Sequence, residues 1–522
     1  MLNKKTNTKQ TILQAQLALD TMRSQEGTER RQRMQKRLDY YFGDKQVEYL
    51  DNVLSEQFIY PDRLKLQKEI SNITEMIINE AAVLYNEEPY RELIAADEKY
   101  NIEKDSEIYS KLIDESKINS VMKTAQRLTK LCKTVLVRPA WRDEHIEYDI
   151  YTPNMFDVLQ DPTNRTKAMA IVYSSTFDFE LLQTAETMLN EDSFQTEKAV
   201  FFYWSLNEHF IFTASFNSAK QKWIAELMSQ EGNPENINPY GVLPFVVLRD
   251  GITVDSFFLQ GGDELINTNE ISNVKLTEKN NLTKMQSFSI PVRKGAQNAG
   301  SFILDPSMTI DLPPDDDLAK GSDFKFVSPD PKIKDVSDDI DSRIRRIAIK
   351  YNLNPERFSS SAQKSSADAL QLRAFDQAKQ IKADKPDWRG FEKELFGITR
   401  IVQNYHEGSN KINETVELFI DYQDVEVPMT AAERDNHNLM MVENDIMSRA
   451  EWIMDENPDI RSIDEALRRL KENKEMKREE LATKQEDFIE RSKKMINGAG
   501  PDQGQGDPKP KPPEISPGQN DE

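Results

Sequence analysis

The sequence predicts a mainly helical chain of the α+β class. Apolar residues recur at steps of three and four through most of residues 1–131, which is the spacing of a buried helix face. Between residues 133 and 250 short β-branched and aromatic runs alternate with turn residues, a pattern typical of antiparallel strands. The C-terminal part returns to helical spacing and carries three Ser/Thr-x-x-Glu capping boxes within 36 residues.

Residues 1–90 are predicted to be helical. One helix covers Gln10–Met22, and the basic stretch Glu29–Arg37 is interpreted as the solvated face of a second helix rather than as a nucleic-acid-binding arm. Tyr40–Asp44 should end that helix with a turn. A long amphipathic helix is expected from Pro61 to about residue 86, and a further helix at 97–131. The periodic apolar residues of the long helix are Leu66, Ile70, Ile73, Ile77, Ala81 and Leu84.

Residues 133–250 are predicted to form an antiparallel meander. Its prolines, including Pro139, are expected to lie outside the strands, because proline cannot donate to a sheet ladder. The strand-like runs are residues 135–137, 146–151, 170–174, 199–204, 209–216 and 245–248.

Residues 256–287 predict an unusual helix, because polar side chains cover most of its circumference. Such a helix should not bury itself in the core of one chain, and we expect it to face water or to pack against copies of itself. A turn-rich, strand-like segment follows at 289–328, and then a second helix at 335–351. Two helices that bracket a small β module suggest a stalk with a tip.

The longest helical pattern covers residues 365–407, where Pro386 should introduce a kink. One strand is expected within 416–427. The capping boxes Thr430–Glu433, Ser448–Glu451 and Ser462–Glu465 each precede an apolar run, and the last predicts a helix from 463 to about 494. From Asn497 onward Gly and Pro supply 11 of 26 residues, so we expect this tail to be disordered.

Composition narrows the classes of function. The net charge is 68 − 90 = −22, which argues against phosphate binding over the whole surface. A single cysteine, Cys132, excludes a disulfide framework and is expected to be a small buried residue. The chain has no signal-peptide pattern and no apolar run near the roughly 18 residues of a membrane span, so we expect a soluble protein made in the cytosol.

Enzyme motifs are missing from the sequence. GxGxxG, GxxxxGK[ST] and GxSxG do not occur, and the four histidines lie far apart without metal-ligand spacing. We therefore expect no catalytic residue, no cofactor and no metal. Asp315–Asp317 is interpreted as a solvated acidic tip rather than a cation site. The polar segment Ser359–Ser366 is either a plain linker or a mobile loop that carries one cation, Lys364.

Five short strings follow one another in order over roughly residues 30 to 475. They are Tyr40–Gln46, Ile77–Pro89, Gly261–Ser272, Ser365–Leu372, and Ile446–Trp452 with Asn457–Leu467. No single string is specific, but their order around the helix–β module–helix layout resembles the portal proteins of tailed bacteriophages, particularly phages with long non-contractile tails. In Ser365–Leu372, Ala and Asp replace part of the family's pattern.

The resemblance implies an architecture of wing, stem, clip and crown, with twelve subunits in a ring around a DNA channel and possibly thirteen in isolated protein. The stem helices would then pack against neighbouring subunits. The implied boundaries are wing 1–255, first stem helix 256–287, clip 288–330, second stem helix 331–352, tunnel loop 353–366, spine helix and wing strand 367–429, crown 430–496, and tail 497–522.

The resemblance also implies sites and partners. The portal would conduct double-stranded DNA during packaging and ejection, with weak and non-specific contacts, and would bind the terminase large subunit, the major capsid and scaffolding proteins, and head-completion or adaptor proteins. It would be assembled in the host cytoplasm and belong to the capsid vertex of the virion, without a membrane partner. The implied DNA-contacting residues are Ser359, Ser360, Ser361, Gln363 and Lys364, and the implied clip contacts are Arg293, Lys294, Asp315, Asp316 and Asp317.

Two alternatives remain open at the level of sequence. The charge and the Gly/Pro-rich tail also suit a non-viral acidic helical scaffold or adaptor, which would be a monomer or small oligomer. A hydrolase with an unrecognised site is the other alternative, and its turnover would be abolished by one carboxylate or histidine substitution.

Overall fold

The computed structural model describes most of the chain. The described residues are 2–57, 67–95, 97, 99–174, 199–217, 222–230, 232–286, 290–294, 323–327, 333–358, 367–408, 411–423, 431–444, 446–456, 460 and 462–497. They mix helices with small antiparallel sheets, as the fold-class prediction requires. The chain divides into two compact units, residues 1–428 and 429–522.

Within the described residues before 134, the chain forms six helices. They are α1 (Leu2–Met22), α2 (Gln25–Phe42), α3 (Gln46–Gln57), α4 (Ile73–Ala81), α5 (Glu103–Ser116) and α6 (Ile118–Cys132). The turn predicted after α2 is confirmed, because Gly43 ends that helix with a left-handed φ of 83°. The helix expected at 97–131 is two helices, since Lys117 takes a left-handed φ of 52° between them.

The long helix predicted from Pro61 to about residue 86 is confirmed only for Ile73–Ala81. Residues 67–72 are not helical, and α4 begins only after Asn72, whose side chain accepts a hydrogen bond from the backbone N–H of Glu75. Residues 58–66 lie outside the described part. The periodic apolar residues Ile73, Ile77 and Ala81 are nonetheless buried as predicted.

The strands of residues 134–249 form two antiparallel sheets instead of one meander. The smaller sheet has the order β3-β2-β9, from β2 (Thr134–Arg142), β3 (His145–Tyr151) and β9 (Val246–Arg249). The larger is a five-stranded meander in chain order, from β4 (Phe156–Gln160), β5 (Ala168–Ser174), β6 (Ala199–Ser205), β7 (His209–Asn217) and β8 (Lys222–Met228). Six strands are confirmed, and sequence reasoning missed β4 and β8.

Pro139 was placed outside the strands, and that is wrong. It lies within β2 opposite Tyr148 of β3. The third strand, β9, pairs only with Thr134–Val137, so Pro139 lies past the end of that pairing. A residue without a backbone donor is tolerated where a strand has a neighbour on one side only.

The core of the first unit has three main parts. The largest joins α2, α4, α5 and α6 to the three-stranded sheet and to the long helix α9 (Ala367–His406). In the second, α1 packs Ala15, Ala18 and Leu19 on the five-stranded sheet. The third lies between the two sheets and contains Phe156 and Phe257.

Two helices pack antiparallel beside this core. They are α7 (Asp263–Gln286) and α8 (Ile333–Lys350), and ion pairs join Lys275 to Asp339 at 2.8 Å and Lys350 to Glu264 at 2.6 Å. The strands β10 (Ile290–Lys294) and β11 (Asp323–Val327) form an antiparallel ribbon in the segment between them. The predicted helix–strand–helix order is therefore confirmed, although the first helix begins at 263 and not at 256. We call α7 and α8 the hairpin.

The remaining elements of the first unit follow α8. A short 3-10 turn covers Pro355–Phe358, and α9 then continues through Pro386 to His406. The strand β12 (Val416–Asp421) confirms the prediction of a strand near 420. It pairs with β1 (Tyr90–Ala95), a strand in the short stretch between the helices expected up to residue 90 and from residue 97, for which no strand was predicted.

The second unit is helical in its described residues. It contains α10 (Ala431–Glu443), α11 (Arg449–Glu456) and α12 (Ile463–Asn497). The capping box before α11 is confirmed, since Ser448 Oγ accepts the Glu451 N–H at 3.2 Å and Glu451 Oε2 accepts the Ser448 N–H at 2.6 Å. Ser462 Oγ accepts the Glu465 N–H at 3.3 Å before α12. Thr430 and the tail from 498 lie outside the described residues.

Candidate functional site

Most of the predicted contact residues lie outside the described part of the chain. This is so for Ser359, Ser360, Ser361, Gln363 and Lys364 of the tunnel loop and for Asp315, Asp316 and Asp317 of the clip. Arg293 and Lys294 lie in β10, where they pair with Phe324 and Asp323 of β11. Their roles, and the wing, stem, clip and crown boundaries, stay predictions.

Within the described residues, buried charged and polar side chains are concentrated where the hairpin joins the core. We call it the hairpin base: α2, residues 69–74, the first four turns of α7 and the last turn of α8. Arg37 of α2 is central, with a side chain only 2% exposed. Its guanidinium donates to Asp263 Oδ1 at 2.6 Å, to the Gly261 carbonyl at 2.5 Å and to the Leu131 carbonyl at 3.2 Å. One side chain thus fixes the start of α7 to the end of α6.

Two further cations of α2, Lys36 and Arg33, also pair with carboxylates of α7. Lys36 Nζ lies 2.9 Å and 3.1 Å from the two carboxylate oxygens of Glu270, and Arg33 is 3.8 Å from Asp263. The Tyr40 hydroxyl donates to Glu270 at 3.5 Å. Burial, reinforced by the Glu270 charge, raises the pKa of Tyr40 well above its usual value, so the hydroxyl keeps its proton.

The interpretation of Glu29–Arg37 as a solvated helix face is confirmed for exposed residues such as Arg33 and is wrong for Arg31 and Arg37. Arg31 and Arg37 are buried, and Arg30 and Arg31 lie 2.7 Å and 3.2 Å from Asp157 of β4. The basic residues of α2 pair with carboxylates that stand far along the chain. A buried charge is retained only when it is paired, and these distant partners are not apparent from the local pattern.

A row of polar side chains on α7 binds residues 69–74, the non-helical segment before α4 together with the first two residues of α4. Asn269 Oδ1 accepts the backbone N–H of Thr74 at 2.8 Å, and its Nδ2 donates to the Ser71 carbonyl at 2.8 Å. Asn273 Oδ1 accepts the Ser71 N–H at 2.9 Å, and Thr277 Oγ1 accepts the Glu69 N–H at 3.2 Å. We call Asn269, Asn273 and Thr277 the amide ladder.

The amide ladder corrects the expectation that α7 faces only water or other copies. All three ladder residues are at most 1% exposed. Their polar groups replace the hydrogen bonds that residues 69–74 would otherwise make within a helix, which explains why the predicted long helix stops short. The spacing of four residues places them on one helix face. That spacing was visible in the sequence and was the available signal.

Two glycines form the turn into α7. Gly261 and Gly262 have φ values of 105° and 94°, which favour glycine. At Gly262 a Cβ atom would lie 2.9 Å from Arg37 Nη1 and 3.3 Å from Lys133 Cε. Glycine is therefore required here both by backbone conformation and by the close approach of two cationic side chains.

The surface near the hairpin base carries exposed apolar side chains. Ile252 and Val254, in the loop between β9 and α7, are 91% and 87% exposed. Ile349 of α8 is 59% exposed. Large β-branched residues that are almost fully in water are unusual when they occur close together, and such surfaces often bind another protein.

Other candidate chemistry is limited in the described residues. There, no group of three or more His, Cys, Asp and Glu side chains is arranged to hold a metal ion. Cys132 is buried as predicted, and burial raises the pKa of its thiol to about 12. Among the same residues, no helix combines the length and the apolar character needed to cross a bilayer.

Comparison with solved structures gives weak likenesses, of which one is described here. No protein-family model matches the chain, and no curated protein matches it. A chain from the solved structure described as "Neck of empty GTA particle computed with C6 symmetry", a phage-like particle, is similar over 73% of this chain and 88% of its own length. The sequence identity is 11% and the TM-score is 0.38. A likeness at this level does not place the chain in a family.

Proposed function

We propose that the chain is the portal protein of a tailed double-stranded DNA phage. The observation that carries this proposal is the hairpin itself: two antiparallel helices, with a β ribbon in the segment between them, anchored at their base to a mixed α/β core. A long helix, α9, and a separate helical unit follow in the order that the portal resemblance implies.

In this proposal the hairpin is the stem, the β10–β11 segment is the clip, and α10–α12 belong to the crown. The subunits form a ring, with twelve copies in the particle. The exposed residues Ile252, Val254 and Ile349 support self-association, because a neighbouring copy would remove them from water. The ion pairs and the amide ladder would hold each stem in position while DNA passes.

The charge of the chain is consistent with a conduit. A ring multiplies the net charge of −22, and a negative channel repels the phosphate backbone and keeps the duplex from sticking. A few cations such as Lys364 would give weak, salt-sensitive contacts. The sequence contains no P-loop, so the packaging ATPase would be a separate terminase, and the chain itself would not be an enzyme.

The first test is the mass and shape of the purified full-length chain. Negative-stain electron microscopy should show rings with a central hole, and mass photometry should give twelve or thirteen chains. A monomer or dimer over all salt concentrations would contradict the proposal and favour an acidic scaffold. Replacing Lys364 by Ala should alter packaging and leave the rings intact, and loss of rings would contradict its assignment to the tunnel loop.

The role of the exposed loop has a matched control. The double variant Ile252→Asp/Val254→Asp should lower ring formation, because it places charge in the proposed contact. Leu206→Asp, which changes an exposed residue in the turn between β6 and β7, should form rings like the parent. Circular dichroism would establish that both variants are folded. Rings from the double variant would exclude this loop from the interface.

A further inference from the structure

A cavity of about 220 Å³ opens beside the hairpin base, within the first unit. It is bounded by the end of α4, the end of α6, the residue after β9, the turn into α7, the end of α8 and the middle of α9. Four lysines and two aspartates line it: Lys130, Lys133, Lys350, Lys379, Asp250 and Asp384. The side chains that line the cavity therefore carry a formal net charge of 4 − 2 = +2, whereas the net charge of the whole chain is −22.

The deeper cations of the cavity are already paired. Lys130 Nζ lies 2.9 Å from Asp250 and 3.0 Å from Asp384, and Lys133 Nζ lies 2.6 Å from Asp250. The Lys133 ammonium also stands 5.0 Å from the centre of the Tyr351 ring. Burial lowers the pKa of Lys130, but its two carboxylate partners outweigh burial and raise it above the usual value. The two lysines and two aspartates of this inner part of the cavity therefore carry no net charge together.

The other two lysines of the lining, Lys350 and Lys379, do not neutralise Asp250 or Asp384. Lys350 contacts Glu264 at 2.6 Å, but both side chains are more than half exposed, so this pair is weak. Lys379 is exposed, and no ion pair of its ammonium is found within the described residues. Both therefore remain able to bind a second anion at little cost in lost contacts.

We propose that this cavity binds a phosphate group. Ammonium donors bind phosphate oxygens through short charge-assisted hydrogen bonds, and lysine serves in such sites as a mobile point charge. The volume is below the roughly 300–1,000 Å³ of sites for drug-sized ligands, so the ligand is a small phosphate-bearing molecule or a single phosphate of a longer chain. The exposed side chain of Asn352 supplies a further hydrogen-bond donor on the lining.

The test is calorimetric titration of the full chain with pyrophosphate and with inorganic phosphate, at constant ionic strength in chloride. We expect saturable binding of pyrophosphate. Lys379→Ala should weaken it about tenfold, the effect of losing one charge-assisted contact. Lys382→Ala is the matched control, because Lys382 is exposed on the same helix and does not line the cavity. It should bind like the parent.

Two results would overturn the proposal. One is the absence of binding at millimolar phosphate or pyrophosphate, and the other is equal weakening by Lys379→Ala and Lys382→Ala, which would show attraction by the surface in general. A competition with short duplex DNA identifies the source of the phosphate. Displacement of pyrophosphate by DNA assigns the site to a nucleic-acid backbone, and no displacement assigns it to a small molecule.

Discussion

The helices α1 and α7 both pack within the first unit, but with different kinds of buried side chain. Helix α1 buries Ala15, Ala18 and Leu19 against the five-stranded sheet, as hydrophobic spacing predicts. Helix α7 also buries apolar side chains such as Leu265, but in addition it buries Asn269 and Asn273 and pairs its carboxylates with α2. The comparison shows that polar side chains of a helix can be buried when neighbouring residues supply a hydrogen-bond donor or acceptor for each of them. Buried apolar side chains do not need such partners.

The largest effect is expected where a buried side chain that donates to several acceptors is removed. Arg37→Ala should lower the free energy of unfolding by about 4 kcal/mol, because it leaves two backbone carbonyls without a donor and a cavity in place of the buried side chain. Urea unfolding followed by circular dichroism would measure it. Arg33→Ala, at a position that is 46% exposed, is the control and should cost less than about 1 kcal/mol. Equal losses would contradict the ranking.

On the apolar side of the comparison, Leu19→Ala should cost about 3 kcal/mol, since it opens a cavity beneath the sheet. Leu13→Ala, on the exposed face of the same helix, should change the free energy by less than about 0.5 kcal/mol. Both are measured by the same urea titration. A large loss for Leu13→Ala would mean that a further surface covers that face of α1.

Removing one residue of the amide ladder should lower the free energy of unfolding by less than Arg37→Ala or Leu19→Ala does. Asn273→Ala should cost about 2 kcal/mol, because it leaves the Ser71 N–H without its acceptor. Hydrogen exchange read by mass spectrometry should show faster exchange in residues 69–74 and little change in the five-stranded sheet. Unchanged exchange at 69–74 would contradict the role assigned to the ladder.

The stability of the five-stranded sheet, on which α1 packs, should depend on pH through His209. Burial lowers the pKa of His209, which stacks on Trp204 in the sheet, to about 4 from its usual 6.5. The unfolded chain therefore binds a proton that the folded chain excludes, so stability is full above pH 6.5 and falls between pH 6.5 and 4. The slope is at most about 1.4 kcal/mol per pH unit from this residue.

The control for this pH effect is His209→Phe, which keeps an aromatic ring and cannot ionise. Its thermal midpoint should fall less between pH 7 and pH 5 than that of the parent. Identical slopes would show that other groups dominate the acid response.

Sequence reasoning succeeded where one strand or helix face is uniformly apolar. It placed α8, α9 and β12 within a few residues, and it placed six strands of the two larger sheets. It failed at β1 and at residues 67–72, because there the backbone is held by a distant partner rather than by local preference. The pairing of Arg37 with Asp263 spans 226 residues, and no local pattern reveals such a partner. The hairpin order was predicted, but its buried polar base was not.

The lone thiol of the chain has a practical consequence. Cys132 is fully packed and holds its proton at neutral pH, so maleimide reagents should leave it untouched while the protein is folded. Cysteines introduced at the surface would then be the reactive labelling positions, without first replacing Cys132. A pair of fluorophores on α7 and α8 could then report, in single assembled particles, whether the two helices keep their spacing under load.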